Sequence, residues 1–364
     1  MAERDRNAVR RRCTRSLSGA PLQRRAPRRV LEELVQLASG DLDADFYGEG
    51  EVIASFEREV AALLGKEAAV FMPSGTMAQP IALRIWAERK RVTTVAFHPR
   101  CHLEIHEEKG YQRLHGLHAK LVGAPNELIG IADLEAIAEP VAALLLELPQ
   151  REIGGLLPSW DDLEKIAAWA RARGAALHLD GARLWETQPF YGRPLAAIAA
   201  PFDSVYVSLY KTLGGIAGCV LAGAPDFVRE SRVWQRRQGG NLPALWPYVI
   251  AAKAGLDERL PRIPRYVEKA RSLAPRLAGI PGVEVHPNPP PTNLFHVRLR
   301  GDRRRLEDAA LDLAEETGVW MFLRISGTDS PLWQRVEMAC GDATLELEDE
   351  EIAGLFDRLV RRAS

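Results

Sequence analysis

Short apolar runs alternate with amphipathic segments through most of this chain, and that alternation leaves few folds open. Ala68–Met72 and Val141–Leu146 read as buried strands, Ala175–Leu177 and Ser204–Val207 lead into two more, and Gly218–Leu221 continues the sheet. Between them lie helical patterns: Val30–Leu37; Val52–Leu64, with Phe56, Val60, Leu63 and Leu64 on one face; a segment carrying Ile81, Leu83 and Ile85; and Asp161–Arg173, with Leu163, Ile166 and Trp169. Strands that are apolar throughout and separated by helices predict an α/β fold, with a mostly parallel central sheet covered by helices. The later pattern differs. Val283–Val285, Leu294–Val297 and Trp320–Phe322 with helices over Leu306–Glu316 and Glu348–Val360 predict a small C-terminal α+β domain, set off by proline-rich stretches at 261–264 and 287–291. The expected division is an arm over 1–29, a large domain over 30–255 and a small domain over 256–364.

Two of the strands run into charged residues. One leads to Asp180 in His178-Leu179-Asp180-Gly181-Ala182-Arg183, the other to Lys211 in Ser208-Leu209-Tyr210-Lys211-Thr212-Leu213-Gly214-Gly215. Alone, each is the strand-end aspartate or surface lysine of any α/β protein. Together, at neighbouring strand ends, they suit pyridoxal phosphate: the amine bonds the aldehyde carbon, and the carboxylate keeps the pyridine nitrogen protonated. Ser74-Gly75-Thr76 follows a strand and opens a helix, where free N–H groups and small side chains favour a dianionic phosphate. That tripeptide is weak by itself and gains weight from the other two residues.

Composition bounds the remaining choices. A chain of 364 residues with 46 % hydrophobic and 27 % charged residues has ample core for a soluble globular protein. The net charge of −1 gives no pull toward nucleic acid or membrane, and no apolar run is long enough to span a bilayer. Cys13, Cys101, Cys219 and Cys340 form no CxxC pair, which points away from zinc and disulfides and toward a reducing, cytoplasmic setting. Ten arginines within residues 1–29 make that arm a solvated, flexible extension on composition. His98, His102 and His106 are spaced by four with Glu104, Glu107 and Glu108 nearby, but Pro99 interrupts a continuous helix, so no metal site is expected.

Several segments together carry a resemblance. Phe46-Tyr47-Gly48-Glu49-Gly50, Leu64-Gly65-Lys66-Glu67-Ala68-Ala69-Val70-Phe71, Ser74-Gly75-Thr76-Met77-Ala78, His178-Leu179-Asp180-Gly181-Ala182-Arg183-Leu184 and Thr292-Asn293-Leu294-Phe295 resemble, in order, the threonine aldolase / β-eliminating lyase family. The resemblance covers nearly everything after about residue 38. It implies a pyridoxal-phosphate enzyme of the aspartate-aminotransferase fold (fold type I), a homodimer or homotetramer with shared active sites. By resemblance Lys211 binds the cofactor aldehyde, Asp180 its ring nitrogen and Ser74, Gly75 and Thr76 its phosphate, while His102 stacks on the ring. Arg183 and Arg335 would grip the substrate carboxylate, a task for which a planar guanidinium is suited, with Ser16 beside them and Tyr47 near the site. Arg324 and Asp342 read as solvated or structural.

Two departures from the family pattern matter. Its aldolases carry a second histidine in an Asn-Thr-His context after the third strand, where this chain has Glu147-Leu148-Pro149-Gln150; Gln150 is no base near neutral pH. An arginine that reaches the phosphate is replaced within Gly239-Gly240-Asn241, leaving Arg236 and Arg237 as the nearest cations. The resemblance implies cleavage of Cα–Cβ in a β-hydroxy-α-amino acid to glycine and an aldehyde, as in low-specificity L-threonine aldolases, with the base drawn from His102, Glu147 or a water they hold. Two other readings stay open. One is β-elimination from another amino acid, with Trp160, Trp185 and Trp246 as a candidate aromatic lining; the other is a catalytically silent pyridoxal-phosphate-binding protein.

Overall fold

The computed structural model describes residues 5–17, 26–38, 40–322 and 324–364. It divides the chain into two units, Ala26–Pro261 and Arg262–Ser364, the second joined by the N-terminal segment Met1–Arg25, of which residues 5–17 are described.

The described part of the arginine-rich arm is folded, where composition predicts a flexible extension. Asp5 caps the helix Arg6–Arg12 by accepting from the backbone N–H of Asn7 and Ala8. The segment β1 (Arg15–Ser16) then pairs in parallel with Val319–Trp320. Val9 is buried with Ala314 and Trp320, and Leu17 is 1 % exposed, its N–H donating to the Trp320 carbonyl at 2.8 Å. The arginines find partners as well: Arg6 donates to the Phe322 carbonyl and lies over the Trp320 ring, and Arg15 pairs with Glu351 at 2.9 Å. Two apolar anchors inside a basic run decide the outcome, and composition averages them away. Arg24 and Arg25 lie outside the described residues.

In Ala26–Pro261 the strands are β2 (Ala68–Met72), β3 (Thr94–Phe97), β4 (His118–Leu121), β5 (Ala143–Glu147), β6 (Ala176–Gly181), β7 (Ser204–Ser208) and β8 (Cys219–Gly223). They form one sheet in the order β2-β8-β7-β6-β5-β3-β4. Only β8 runs against its neighbours, so the sheet is mostly parallel, as the apolar runs predict. The helix Gly75–Lys90 covers one face. Its Gln79 meets His178 of β6 at 2.7 Å, its Trp86 donates to Ser204 of β7 at 2.8 Å, and its Ile81 and Ile85 pack with Val70 and Leu221. Successive strand residues alternate faces, so Leu177 and Leu179 bury against the opposite side. No helix among the described residues is long and apolar enough to cross a membrane.

The other unit holds β9 (Val283–His286), β10 (Leu294–Arg300), β11 (Val319–Trp320), β12 (Ser326–Gly327) and β13 (Trp333–Ala339). Four of these form an antiparallel sheet in the order β12-β13-β10-β9. The stretch expected as a strand over Trp320–Phe322 pairs only through β11, and with β1 rather than with this sheet. Burial on β13 alternates, with Gln334, Val336 and Met338 inside. The helices Ile263–Ala278, Arg303–Thr317 and Asp349–Ala363 complete the unit. Asp342 is structural: it accepts from the Tyr266 hydroxyl and from Arg262.

Because Leu17 is fully buried, Leu17→Ala is expected to lower stability by about 2–4 kcal/mol. Urea unfolding of the two proteins measures this; a solvated arm would give no change.

Candidate active site

Strand register assembles the site. Glu147, the last residue of β5, is paired with Asp180 of β6, and Asp180 is paired with Tyr206 of β7. Residues opposite one another on adjacent strands share a face. Glu147, Asp180, Tyr206 and, two residues on, Ser208 therefore point to the face on which His178 meets Gln79, the face covered by the helix Gly75–Lys90. All four stand toward the C-terminal ends of parallel strands, where α/β sheets bind ligands. Lys211 follows three residues after β7.

Burial sets the electrostatics. Asp180 is 2 % exposed; burial raises its pKa, opposed by Lys211, and its Oδ1 accepts the Ala182 N–H at 3.0 Å. Burial lowers the pKa of the half-buried Lys211 amine, opposed by Asp180, so more of it is neutral and nucleophilic near pH 7 than an exposed lysine would be. Glu147 is pushed up to about 8, first by burial and then by the Asp180 charge. Its Oε1 accepts the Arg151 N–H at 3.2 Å and its Oε2 a proton of the Gln150 amide at 3.1 Å. The same Gln150 nitrogen donates to the Arg100 carbonyl at 3.2 Å. Gln150 is thus a tie between the end of β5 and the segment that leads to His102.

That segment carries two imidazole–carboxylate pairs. His102 Nδ1 bonds the buried Glu107 at 2.9 Å, and His106 Nε2 bonds Glu152 at 2.9 Å. The two rings stand 5.0 Å apart. His98 is buried elsewhere, on the carbonyls of Ala124 and Glu127, which separates it from the other two. No group of three or more His, Cys, Asp or Glu side chains that could hold a metal ion occurs among the described residues.

The residues fit pyridoxal phosphate. The Ser208 hydroxyl is buried with no hydrogen-bond partner among the described residues, and the Ser74 hydroxyl is not spent on capping its own helix. A Cβ on Gly75 would stand 2.7 Å from Tyr206 Cζ, so only glycine lets this helix start close on β7. Thr76 is exposed in the first turn beside it. A phosphate needs such donors at a helix N-terminus, and the buried Asp180 needs a cation, which a protonated ring nitrogen is.

Arg183 bonds Glu186 at 3.1 Å, and the same Glu186 oxygen takes the Thr212 hydroxyl beside Lys211. Glu186 is fully buried. Arg335 and Ser16 belong to the other unit. Arg335 is half-buried on β13 opposite Arg298, and Ser16 is buried in β1 opposite Trp320. Tyr47, Arg236 and Arg237 line a different cavity of about 500 Å³ with Arg232 and Asn241, and Lys211 is not in its wall. Of the tryptophans, Trp185 is core, donating to the Ser208 carbonyl, while Trp160 packs on Tyr191 and Arg193. Arg324 is exposed, bonded to Ser326.

Sequence reasoning missed Ser208, Glu107, Glu152 and Glu186. Ser208 had a signal in its place three residues before Lys211. The acids had only proximity to histidine or arginine in the chain, which is common.

A lysine and a buried aspartate at adjacent strand ends, facing a glycine-started helix, define the class: an α/β fold of the kind that holds pyridoxal phosphate. A profile of the β-eliminating lyase family matches residues 27–300. Low-specificity L-threonine aldolase 1 of Arabidopsis thaliana is 30 % identical over 298 residues, 79 % of this chain and 82 % of that protein. A Listeria monocytogenes protein proposed to be an L-allo-threonine aldolase matches in crystal structure with a TM-score of 0.91 and 42 % identity, over 98 % of each chain. An Exiguobacterium protein, proposed to be an aromatic amino acid β-eliminating lyase/threonine aldolase, gives 0.91 and 40 % over 98 % of this chain and 99 % of the other. The chain belongs to the β-eliminating lyase family, a family of pyridoxal-phosphate-dependent lyases with this fold.

The pKa of Glu147 yields a test in the unloaded protein. Its native value of about 8 exceeds the ordinary 4.5, so between those limits the folded state keeps a proton that the unfolded chain releases. Stability therefore falls as pH rises across that window. Glu147→Gln should flatten part of that fall, gaining on the order of 3 kcal/mol relative to wild type by pH 9, and denaturant titrations at a series of pH values measure it.

Proposed function

We propose that this protein is a low-specificity L-threonine aldolase-type lyase that cleaves Cα–Cβ of a β-hydroxy-α-amino acid to glycine and an aldehyde, using pyridoxal phosphate. The observation that carries the reading is the single face on which strand register gathers Glu147, Asp180 and Ser208 next to Lys211. The names borne by its relatives supply the substrate class.

In this reading Lys211 would bond the cofactor aldehyde, Asp180 would face its ring nitrogen, and Ser74, Gly75, Thr76 and Ser208 would hold its phosphate. Bound there, the cofactor supplies a sink for the electron pair of the bond that breaks. Asp180 keeps that sink effective by holding a positive charge at the nitrogen. His102, fixed by Glu107, presents its ring to the cofactor face. Arg183 takes the substrate carboxylate, held in place by Glu186, and Glu186 also restrains Thr212 beside the lysine. Glu147, which keeps its proton up to about pH 8, suits giving a proton better than taking one. For Arg335 and Ser16 the assignment to the carboxylate rests on the resemblance alone, as does a shared homo-oligomeric site, while a cytoplasmic location rests on the pattern of cysteines.

Purified protein loaded with pyridoxal phosphate and given L-threonine, L-allo-threonine or L-phenylserine should release glycine and aldehyde in equal amounts. Borohydride should fix the cofactor on Lys211, as located by peptide mass. Lys211→Ala should lose that fixation and lower aldehyde release by at least about 10³-fold. Cofactor binding without aldehyde from any of the three would turn the reading to β-elimination.

A further inference from the structure

Cleaving a β-hydroxy amino acid requires a base for the hydroxyl proton, and the residues already placed do not supply an evident one. Gln150 is an amide whose nitrogen is committed to Glu147 and to the Arg100 carbonyl. Glu147 is buried and keeps its own proton into the mildly alkaline range. His102 is oriented by Glu107 at Nδ1, and in the reading above its ring is engaged with the cofactor face rather than with the substrate hydroxyl.

The other imidazole of this segment is His106. It follows His102 by four residues, with its backbone N–H on the His102 carbonyl at 2.9 Å and its ring 5.0 Å from that of His102. Its Nε2 is bonded at 2.9 Å to Glu152, in the short 3-10 turn Arg151–Ile153 directly after Gln150. Arg151 holds the same Glu152 oxygen at 3.2 Å. A carboxylate can only accept, so it selects the tautomer with the proton on Nε2 and leaves Nδ1 as the free base. Glu152 side-chain exposure is 12 % against 32 % for His106: the orienting acid is sheltered and the imidazole is open.

We propose that His106 is the base that receives the substrate β-hydroxyl proton, with Glu152 as its positioning residue. The inference rests on the aldolase reading above. The hydroxyl proton passes to Nδ1 of His106, the O–H electron pair becomes the second bond of the aldehyde carbonyl, and the Cα–Cβ pair remains with Cα. Cα then takes a proton to give glycine, and the imidazolium returns its own to water. The base is thus supplied from the segment after β3 and held by the turn after β5.

The test compares two reactions of the loaded enzyme, aldehyde release from L-threonine and L-allo-threonine, and exchange of a glycine α-proton in D2O, which involves no hydroxyl. For His106→Asn, kcat for release should fall about 10²–10⁴-fold, while glycine exchange and KM stay within about threefold. Imidazole in the buffer should restore part of the release in His106→Ala. In the protein without cofactor, 15N spectra of labelled histidine should show His106 protonated on Nε2, a preference lost in Glu152→Gln. Release by His106→Asn within about threefold of wild type would overturn the role of His106 and leave the aldolase reading standing. Equal loss of both reactions, with no rescue by imidazole, would also overturn it, as damage to the structure. Wild-type protein that exchanges glycine but releases no aldehyde would overturn the aldolase reading and this role together.

Discussion

Two carboxylates side by side at the end of a parallel sheet govern this structure. Glu147 and Asp180 are in register on β5 and β6, both are buried, and both face the same helix. Two negative charges in that position repel one another and are poorly solvated, so the pair holds a proton that exposed acids would release at neutral pH. The surroundings answer with cationic and donor groups: Lys211 after β7, the Arg151 backbone N–H and the Gln150 amide. An apolar pair here would pack more cheaply. Retaining two acids makes sense if a cation is to be bound opposite one of them and a proton is to be kept on the other.

The same logic explains what surrounds the pair. Helix Gly75–Lys90 is anchored to the sheet by polar contacts as well as by Ile81 and Ile85: Gln79 holds His178, His178 holds Ser204, and Ser204 also takes Trp86. Burial pushes His178 down to about 3, so it stays neutral and the chain of bonds keeps one arrangement across ordinary pH. A helix fixed by such a chain starts at one place, with Gly75 pressed on Tyr206 of β7, two residues before the Ser208 hydroxyl that no described residue bonds.

Much of this was legible in the sequence because it depends on local pattern. Uninterrupted apolar runs such as Ala68–Met72 predict strands close to their observed limits, and Asp180 and Lys211 stand out because each lies at or just past the end of such a run. What was not legible depends on register and on distant partners. Nothing in the order of residues places Glu147 opposite Asp180, or pairs His106 with Glu152 across 46 positions. The arm shows the opposite failure. Its arginines dominate composition, yet Val9 and Leu17 anchor the described segment 5–17, because burying an apolar side chain outweighs keeping exposed guanidinium groups solvated.

The bonds of Gln150 to Glu147 and Arg100 illustrate why a proton acceptor is defined by its place in space rather than in sequence. A base must stand where the proton leaves, whichever segment delivers it. The turn after β5 and the segment after β3 lie side by side because β3 and β5 are adjacent strands. An imidazole carried by either can therefore serve nearly the same volume, provided the other supplies the group that orients it. Here Gln150 ties the two segments together through Arg100, and Glu152 holds His106. Gln150 is then part of the frame that fixes the segment carrying His106 against the turn carrying Glu152.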